Sequence, residues 1–272
     1  MLLVLSPAKS LDFTPPPDDS PASERGFAPE TRSLIRTARQ LTRAELRALM
    51  DISAPLADLN HKRFKAFEPD SLDGVQAAFA FAGDVYDGLD ARSLRPGALN
   101  WLQLHVRILS GLYGLLRPLD RIQPYRLEMG VRLKTRRGHT LYDFWGDTLA
   151  RGLTRASAEL GGAAVVNLAS QEYFAAVQRK TLKAPVVSLR FLEEKDGEAR
   201  IISFFAKKAR GLAARWAAEQ GAECVEDLKG FDLAGYRFVA NASTPQTFTF
   251  VRPQPAPAAG RAGGLATGLA AE

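Results

Sequence analysis

The stretch Val186-Val187-Ser188-Leu189-Arg190-Phe191-Leu192-Glu193-Glu194-Lys195-Asp196-Gly197-Glu198-Ala199-Arg200-Ile201-Ile202-Ser203-Phe204-Phe205 decides the fold class. Two alternating runs, 186–193 and 199–205, flank Asp196-Gly197. An Asp-Gly pair in that setting is the strongest short-range hairpin signal, because both residues tolerate positive φ. An antiparallel pair is therefore expected here. Further out, Leu2-Leu3-Val4-Leu5, cut off by Ser6-Pro7, reads as an interior strand. So does the β-branched apolar run 163–168. Residues 236–240 and 247–251 read as two more strands. Helical segments separate these strands without a regular βαβ beat. A mixed sheet is expected, in a single-domain α/β protein of α+β-like topology.

The helical segments carry their own signals. Leu34, Ile35, Ala38 and Leu41 recur at helical spacing within 30–66. Thr42-Arg43-Ala44-Glu45 is a capping box, and Ser53 is placed to cap a third helix carrying Leu56, Leu59, Phe64 and Phe67. The Ala- and Phe-rich segment 75–86 is expected to be buried. Residues 142–160 read as one helix ended by Gly161-Gly162. Ser170 reads as the N-cap of a helix through Tyr173 and Val177, and 206–220 as another helix. The proline-rich segment 14–21 must be a surface loop. From Pro253 the chain is rich in Pro, Ala and Gly, with nothing to bury. The expected division is one domain over 1–252 and a disordered tail over 253–272.

Composition bounds the function. The chain has 272 residues, 46% hydrophobic and 24% charged, ordinary for a globular protein. Lys and Arg total 36 against 30 Asp and Glu, a net charge of +6. That excess favours polyanionic partners without proving one. Cys224 is the single cysteine, so no intrachain disulfide forms, and a reducing, cytoplasmic setting is expected. His61, His105 and His139 are scattered, so no metal site and no cofactor are expected. The apolar N-terminal run is too short for a signal peptide or a membrane span.

Several segments are candidates for chemistry. Gly111 and Gly114 lie between apolar stretches, a spacing that suits a tight hairpin between helices presenting backbone N–H groups to a phosphate. The alternative, left open, is that these glycines only permit close packing. Between 117 and 137, seven basic residues (Arg117, Arg121, Arg126, Arg132, Lys134, Arg136, Arg137) stand against Asp120 and Glu128, a net of +5. Arg132 and Lys134 alternate with Val131 and Leu133, which places both charges on one face of a strand. An anion-binding surface is favoured over a charged strand edge. Lys207, Lys208 and Arg210 open a helix, and Lys9 follows the first strand. A run of basic residues from Arg32 to Lys65 reads as solvated helix faces. The carboxylates Glu128, Asp143, Asp147 and Glu172, with Tyr125, are candidates for acid/base work. Helix capping explains Asp143, Asp147 and Glu172 just as simply.

Taken together these segments resemble the YaaA peroxide-stress proteins. The matching pieces are Leu5-Ser6-Pro7-Ala8-Lys9, Gly83-Asp84-Val85-Tyr86, Leu109-Ser110-Gly111-Leu112-Tyr113-Gly114 running on to Arg117-Pro118-Leu119-Asp120, Gln123-Pro124-Tyr125-Arg126-Leu127-Glu128-Met129-Gly130, Phe144-Trp145-Gly146-Asp147, Asn167-Leu168-Ala169-Ser170, Glu172-Tyr173-Phe174 and Ile201-Ile202-Ser203-Phe204 with Ala206-Lys207-Lys208-Ala209-Arg210-Gly211. They keep their order from residue 2 to about residue 251. The resemblance implies an α/β domain with a positively charged cleft and a helix-hairpin-helix element, which would map to 110–117. It implies resistance to hydrogen peroxide and to iron-driven damage through binding of duplex or distorted DNA, with no particular reaction. On this reading Lys9, Arg117, Arg121, Arg126, Lys134, Lys207, Lys208 and Arg210 contact phosphates, with Gly111 and Gly114 beside them. No membrane and no obligate protein partner are expected. The competing expectation is an enzyme acting on a nucleic acid or nucleotide, with Tyr125, Glu128, Asp143, Asp147 or Glu172 as its catalytic groups. A third expectation, an iron-binding protein, has no ligand cluster in the sequence to support it.

Overall fold

The structure is a computed structural model, and it describes residues 1–16, 21–71 and 73–255. The chain runs β1 (Leu2–Leu5), β2 (Ser10–Leu11), α1 (Ala28–Ala38), α2 (Arg43–Met50), α3 (Ala54–Ala66), β3 (Val75–Gln76), α4 (Ala77–Ala80), β4 (Phe81–Ala82), α5 (Asp84–Leu89) and α6 (Pro96–His105). It continues with β5 (Val106–Ser110), β6 (Gly114–Leu116), β7 (Arg121–Ile122), α7 (Leu141–Trp145), α8 (Thr148–Glu159), β8 (Val165–Asn167) and α9 (Gln171–Phe174). Last come β9 (Val186–Lys195), β10 (Glu198–Arg200), α10 (Ser203–Gln220), β11 (Arg237–Phe238) and β12 (Thr247–Pro253).

The main sheet has the order β11-β12-β9-β8-β1-β5-β6, with β10 also paired to β9. The central neighbours β12, β9, β8, β1 and β5 are parallel. The outer pairs β5–β6, β9–β10 and β11–β12 are antiparallel. The sheet is therefore mixed, as the hairpin signal requires. Asp196 and Gly197 both take positive φ, 54° and 80°, the turn this dipeptide favours. β1 runs through the middle with all four residues fully buried. Covering each of its side chains stabilises the fold by about 1.5–3 kcal/mol.

Several expectations need correction. The segment 110–117 is a β-hairpin and not a helical one: Ile108 pairs with Leu116, Leu109 with Leu115 and Ser110 with Gly114. Its glycines serve packing. A Cβ on Gly111 would lie 2.3 Å from the Leu127 carbonyl oxygen, and one on Gly114 would meet the Trp145 ring at 2.8 Å. The run 199–205 leaves the ladder after Arg200, and α10 starts at Ser203. Its alternation buries little, since Ile201 and Phe204 are 57% and 54% exposed. Residues 131–134 form no strand, although Val131 and Leu133 are buried while Arg132 and Lys134 are exposed. The 142–160 helix breaks at Gly146 into α7 and α8. Within 236–240 only Arg237 and Phe238 are strand. Strand β12 extends through Pro253, and the Gln254 amide donates to the Glu194 carbonyl, so the sheet reaches past residue 252. The rest of the expected tail, from residue 256, lies outside the described residues, as do residues 17–20 of the proline-rich loop.

Candidate functional site

The parallel strands β8, β1 and β5 end side by side, the place where open α/β sheets commonly position ligand contacts. Ser6 follows β1, Ser110 closes β5 and Asn167 closes β8. The Ser170 amide donates to Ser6 Oγ at 2.8 Å, and the Tyr86 hydroxyl donates to the Ser6 carbonyl at 2.9 Å. Ser110 Oγ meets the Tyr125 hydroxyl at 2.6 Å and accepts from the Tyr113 amide at 3.0 Å. Burial pushes the phenols of Tyr86, Tyr113, Tyr125 and Tyr173 above their ordinary value. At neutral pH Tyr125 is a hydrogen-bonding phenol and not a base.

Beside these phenols stands a charged cluster. Glu128 is only 8% exposed, and its Oε1 takes Nε and Nη2 of Arg126, each at 2.9 Å, with Lys9 Nζ at 3.6 Å. Its Oε2 is buried with no hydrogen-bond partner among the described residues. Glu172 Oε1 accepts from the Gly130 amide at 2.9 Å. After burial, Tyr125 and then the charges of Glu172 and Glu128 raise the Tyr173 phenol, so both carboxylates lie near it. The cluster thus unites Lys9, Tyr125, Arg126, Glu128 and Glu172.

Asp143 and Asp147 do not join it. Asp143 closes a capping box with Thr140 and accepts from the amides of His139 and Thr140. The Thr140 side chain and these amides hold its carboxyl below the ordinary range. Asp147 pairs with Arg151 at 3.4 Å on an exposed helix face. Capping and helix pairing account for both.

The basic stretch 117–137 divides in two. Arg117 is held by Asp120, with Nε to Oδ1 at 3.1 Å, and by the Glu24 carbonyl. Arg121 is exposed on β7, and Arg126 belongs to the Glu128 cluster. Arg137 lies 4.9 Å over the Phe144 ring and 3.7 Å from Glu30. Arg132, Lys134 and Arg136 are exposed, and their side chains make no hydrogen bond or ion pair among the described residues. Lys134, Thr135 and Arg136 line a cavity of about 420 Å³ with Ser33, Arg36 and Thr37 of α1 and Gln40 just beyond that helix. Arg36 is likewise exposed and unpaired. It also lines an adjoining hollow of about 340 Å³ with Arg32 and Arg39. The reading of α1 as a solvated face missed this. The sequence spaces Arg32, Arg36 and Arg39 four and three apart, but Arg32 pairs with Asp70 at 2.8 Å and Arg39 donates to the Phe64 and Phe67 carbonyls, which leaves Arg36 open.

On α10, Lys207 and Lys208 are exposed, while Arg210 is half-buried. Arg210 lines a separate cavity of about 460 Å³ whose walls share no residue with the α1 groove. Its helix is held in place by close approach: a Cβ on Gly211 would lie 1.8 Å from the Val85 carbonyl oxygen of α5. Among the described residues no three His, Cys, Asp or Glu side chains are grouped to hold a metal ion, and no helix is long and apolar enough to cross a membrane.

These features define a mixed-sheet α/β protein with a charged cluster at its strand ends and an unpaired basic groove beside α1. The chain belongs to the family described as peroxide stress protein YaaA, whose pattern matches residues 1–242. It is 60% identical over 259 residues to a UPF0246 protein of Phenylobacterium zucineum, covering 95% of this chain and 97% of that protein. It is 54% identical over 255 residues to a UPF0246 protein of Caulobacter vibrioides, covering 94% and 100%. A UPF0246 protein of Maricaulis maris is 52% identical over 262 residues, covering 96% and 100%.

Proposed function

We propose that this protein binds DNA without sequence specificity in the cytoplasm and thereby contributes to resistance against hydrogen peroxide and iron-driven oxidative damage, with residues 1–252 acting as one unit. Membership of a peroxide-stress family supports the physiological half. The observation that carries the DNA half is the groove in which Arg36, Lys134 and Arg136 converge with no carboxylate among the described residues to answer them. Three such cations suit consecutive phosphates of a duplex backbone, with Arg132 beside them. Lys207 and Lys208 supply a second exposed contact. Arg117 and Arg126, held by Asp120 and Glu128, contribute least. Changing Lys134 and Arg136 to Gln is expected to weaken binding to unrelated duplexes by a similar factor, measured by fluorescence anisotropy. Loss confined to one sequence, or no loss, sinks the reading.

The strand-end cluster favours a second reading, an enzyme acting on a nucleic acid or nucleotide. In it Lys9 and Arg126 face substrate phosphate, Tyr125 donates a hydrogen bond and Glu128 or Glu172 moves a proton. Mass spectrometry of nucleotides and oligonucleotides incubated with the protein is the test. A product that disappears in Glu128→Gln but persists in Asp143→Asn is the expected result. Equal products in both, or none with the unmutated protein, removes it.

A further inference from the structure

Arg210 is a half-buried cation with no partner among the described residues. Burial lowers its proton affinity, and desolvation is the whole cause. Three other largely covered arginines are answered by carboxylates: Arg126 by Glu128, Arg215 by Asp90 and Glu219, Arg252 by Glu193. The Arg210 guanidinium makes no hydrogen bond, ion pair or ring contact among the described residues. A desolvated cation is costly to leave unanswered. Five N–H donors arranged as a fork suit an oxyanion.

The cavity that Arg210 lines explains what the anion carries. Among the described residues no carboxylate lines it. Its lining combines apolar side chains, Phe174 among them, with neutral polar ones, including Asn167, Gln171, Ser188 and Gln246. It sits where β8 ends beside β9 and β12, with Asn167 opposite Ser188 and Ser188 opposite Thr247. A volume of about 460 Å³ is within the range that encloses a small organic ligand. A single guanidinium matches one phosphate better than a di- or triphosphate. An aromatic side chain suits a base, and carboxamides supply donors and acceptors to base edges and sugar hydroxyls.

We propose that this pocket binds a free nucleoside monophosphate, with Arg210 on the phosphate and Phe174 against the base. The site shares no residue with the α1 groove, so it stands or falls apart from the DNA reading. Isothermal titration of the full chain with AMP, GMP, CMP and UMP tests it, with adenosine and inorganic phosphate as controls. At least one monophosphate is expected to bind saturably, at least tenfold tighter than adenosine or inorganic phosphate. Arg210→Gln should weaken it at least tenfold and should melt no lower than the unmutated protein, because an unanswered cation is removed. Gln246→Ala should weaken it less, and Lys134→Gln should leave it unchanged. No saturable monophosphate binding, unchanged affinity in Arg210→Gln, or inorganic phosphate binding as tightly as the nucleotide overturns the proposal.

Discussion

Two regions of this molecule draw cations from the same basic stretch and have opposite character. In the strand-end cluster, Arg126 is only 16% exposed and Glu128 answers both it and Lys9. In the α1 groove, Arg36, Lys134 and Arg136 are exposed and nothing among the described residues answers them. Local charge density does not separate the two, since Arg126 and Lys134 lie eight positions apart in one basic stretch. The difference lies in what each cation already holds. A paired, covered charge organises the protein, whereas an unpaired, exposed one is free for a partner.

That contrast predicts different responses to mutation. Glu128→Ala leaves a covered arginine without its partner and should destabilise the fold by about 3 kcal/mol in urea unfolding. A loss below about 1 kcal/mol would dissolve the distinction. The phenols around the cluster set its response to alkali. Tyr86, Tyr113, Tyr125 and Tyr173 are all raised by burial from an ordinary value of 10.0. Above about pH 10 the unfolded chain therefore releases protons that the folded chain keeps, and stability falls as pH rises. Each phenol contributes a slope of up to about 1.4 kcal/mol per pH unit until its folded value is reached. Tyr125→Phe should flatten that fall, and an unchanged slope would show that the phenol is not protected.

Smaller effects sharpen the comparison from the other side. Thr140→Ala removes the capping box that Asp143 closes and should cost about 1 kcal/mol of stability. It should leave binding and any product formation untouched, which separates Asp143 from the cluster carboxylates. Arg36→Gln with Lys134→Gln should shift stability by less than about 0.5 kcal/mol, because neither side chain has a partner to lose. A larger drop in thermal unfolding would mean that the groove is part of the framework.

The legible parts of this protein were the local ones. Asp196-Gly197 announced its hairpin because the turn lies within two residues, and Thr42 with Glu45 announced a helix start for the same reason. The 199–205 run misled because its period-two alternation overlaps the first turn of α10, whose alanines pack on neighbouring elements from Ala206 onward. Gly111 and Gly114 signal close backbone approach, and their spacing does not say whether strands or helices approach. The site itself was legible as a set of residues and not as an arrangement. Arg117 and Asp120 pair within three residues, but nothing local tells that Lys134 faces Arg36 across a groove. Nor does anything local tell that Ser110 reaches Tyr125, or that Arg210 is left without a counter-ion. Those relations are made by the chain returning from a distance.

The most direct test of the contrast is the salt dependence of binding to a duplex of arbitrary sequence. The logarithm of the association constant would be plotted against the logarithm of salt concentration for the unmutated protein, for Arg36→Gln/Lys134→Gln/Arg136→Gln and for Lys9→Gln. The groove variant should lose about 2 to 3 from the magnitude of the slope, close to one per phosphate contact removed. Lys9→Gln should change it by less than about 1. Equal slopes for the groove variant and the unmutated protein, or binding indifferent to salt, would contradict the account.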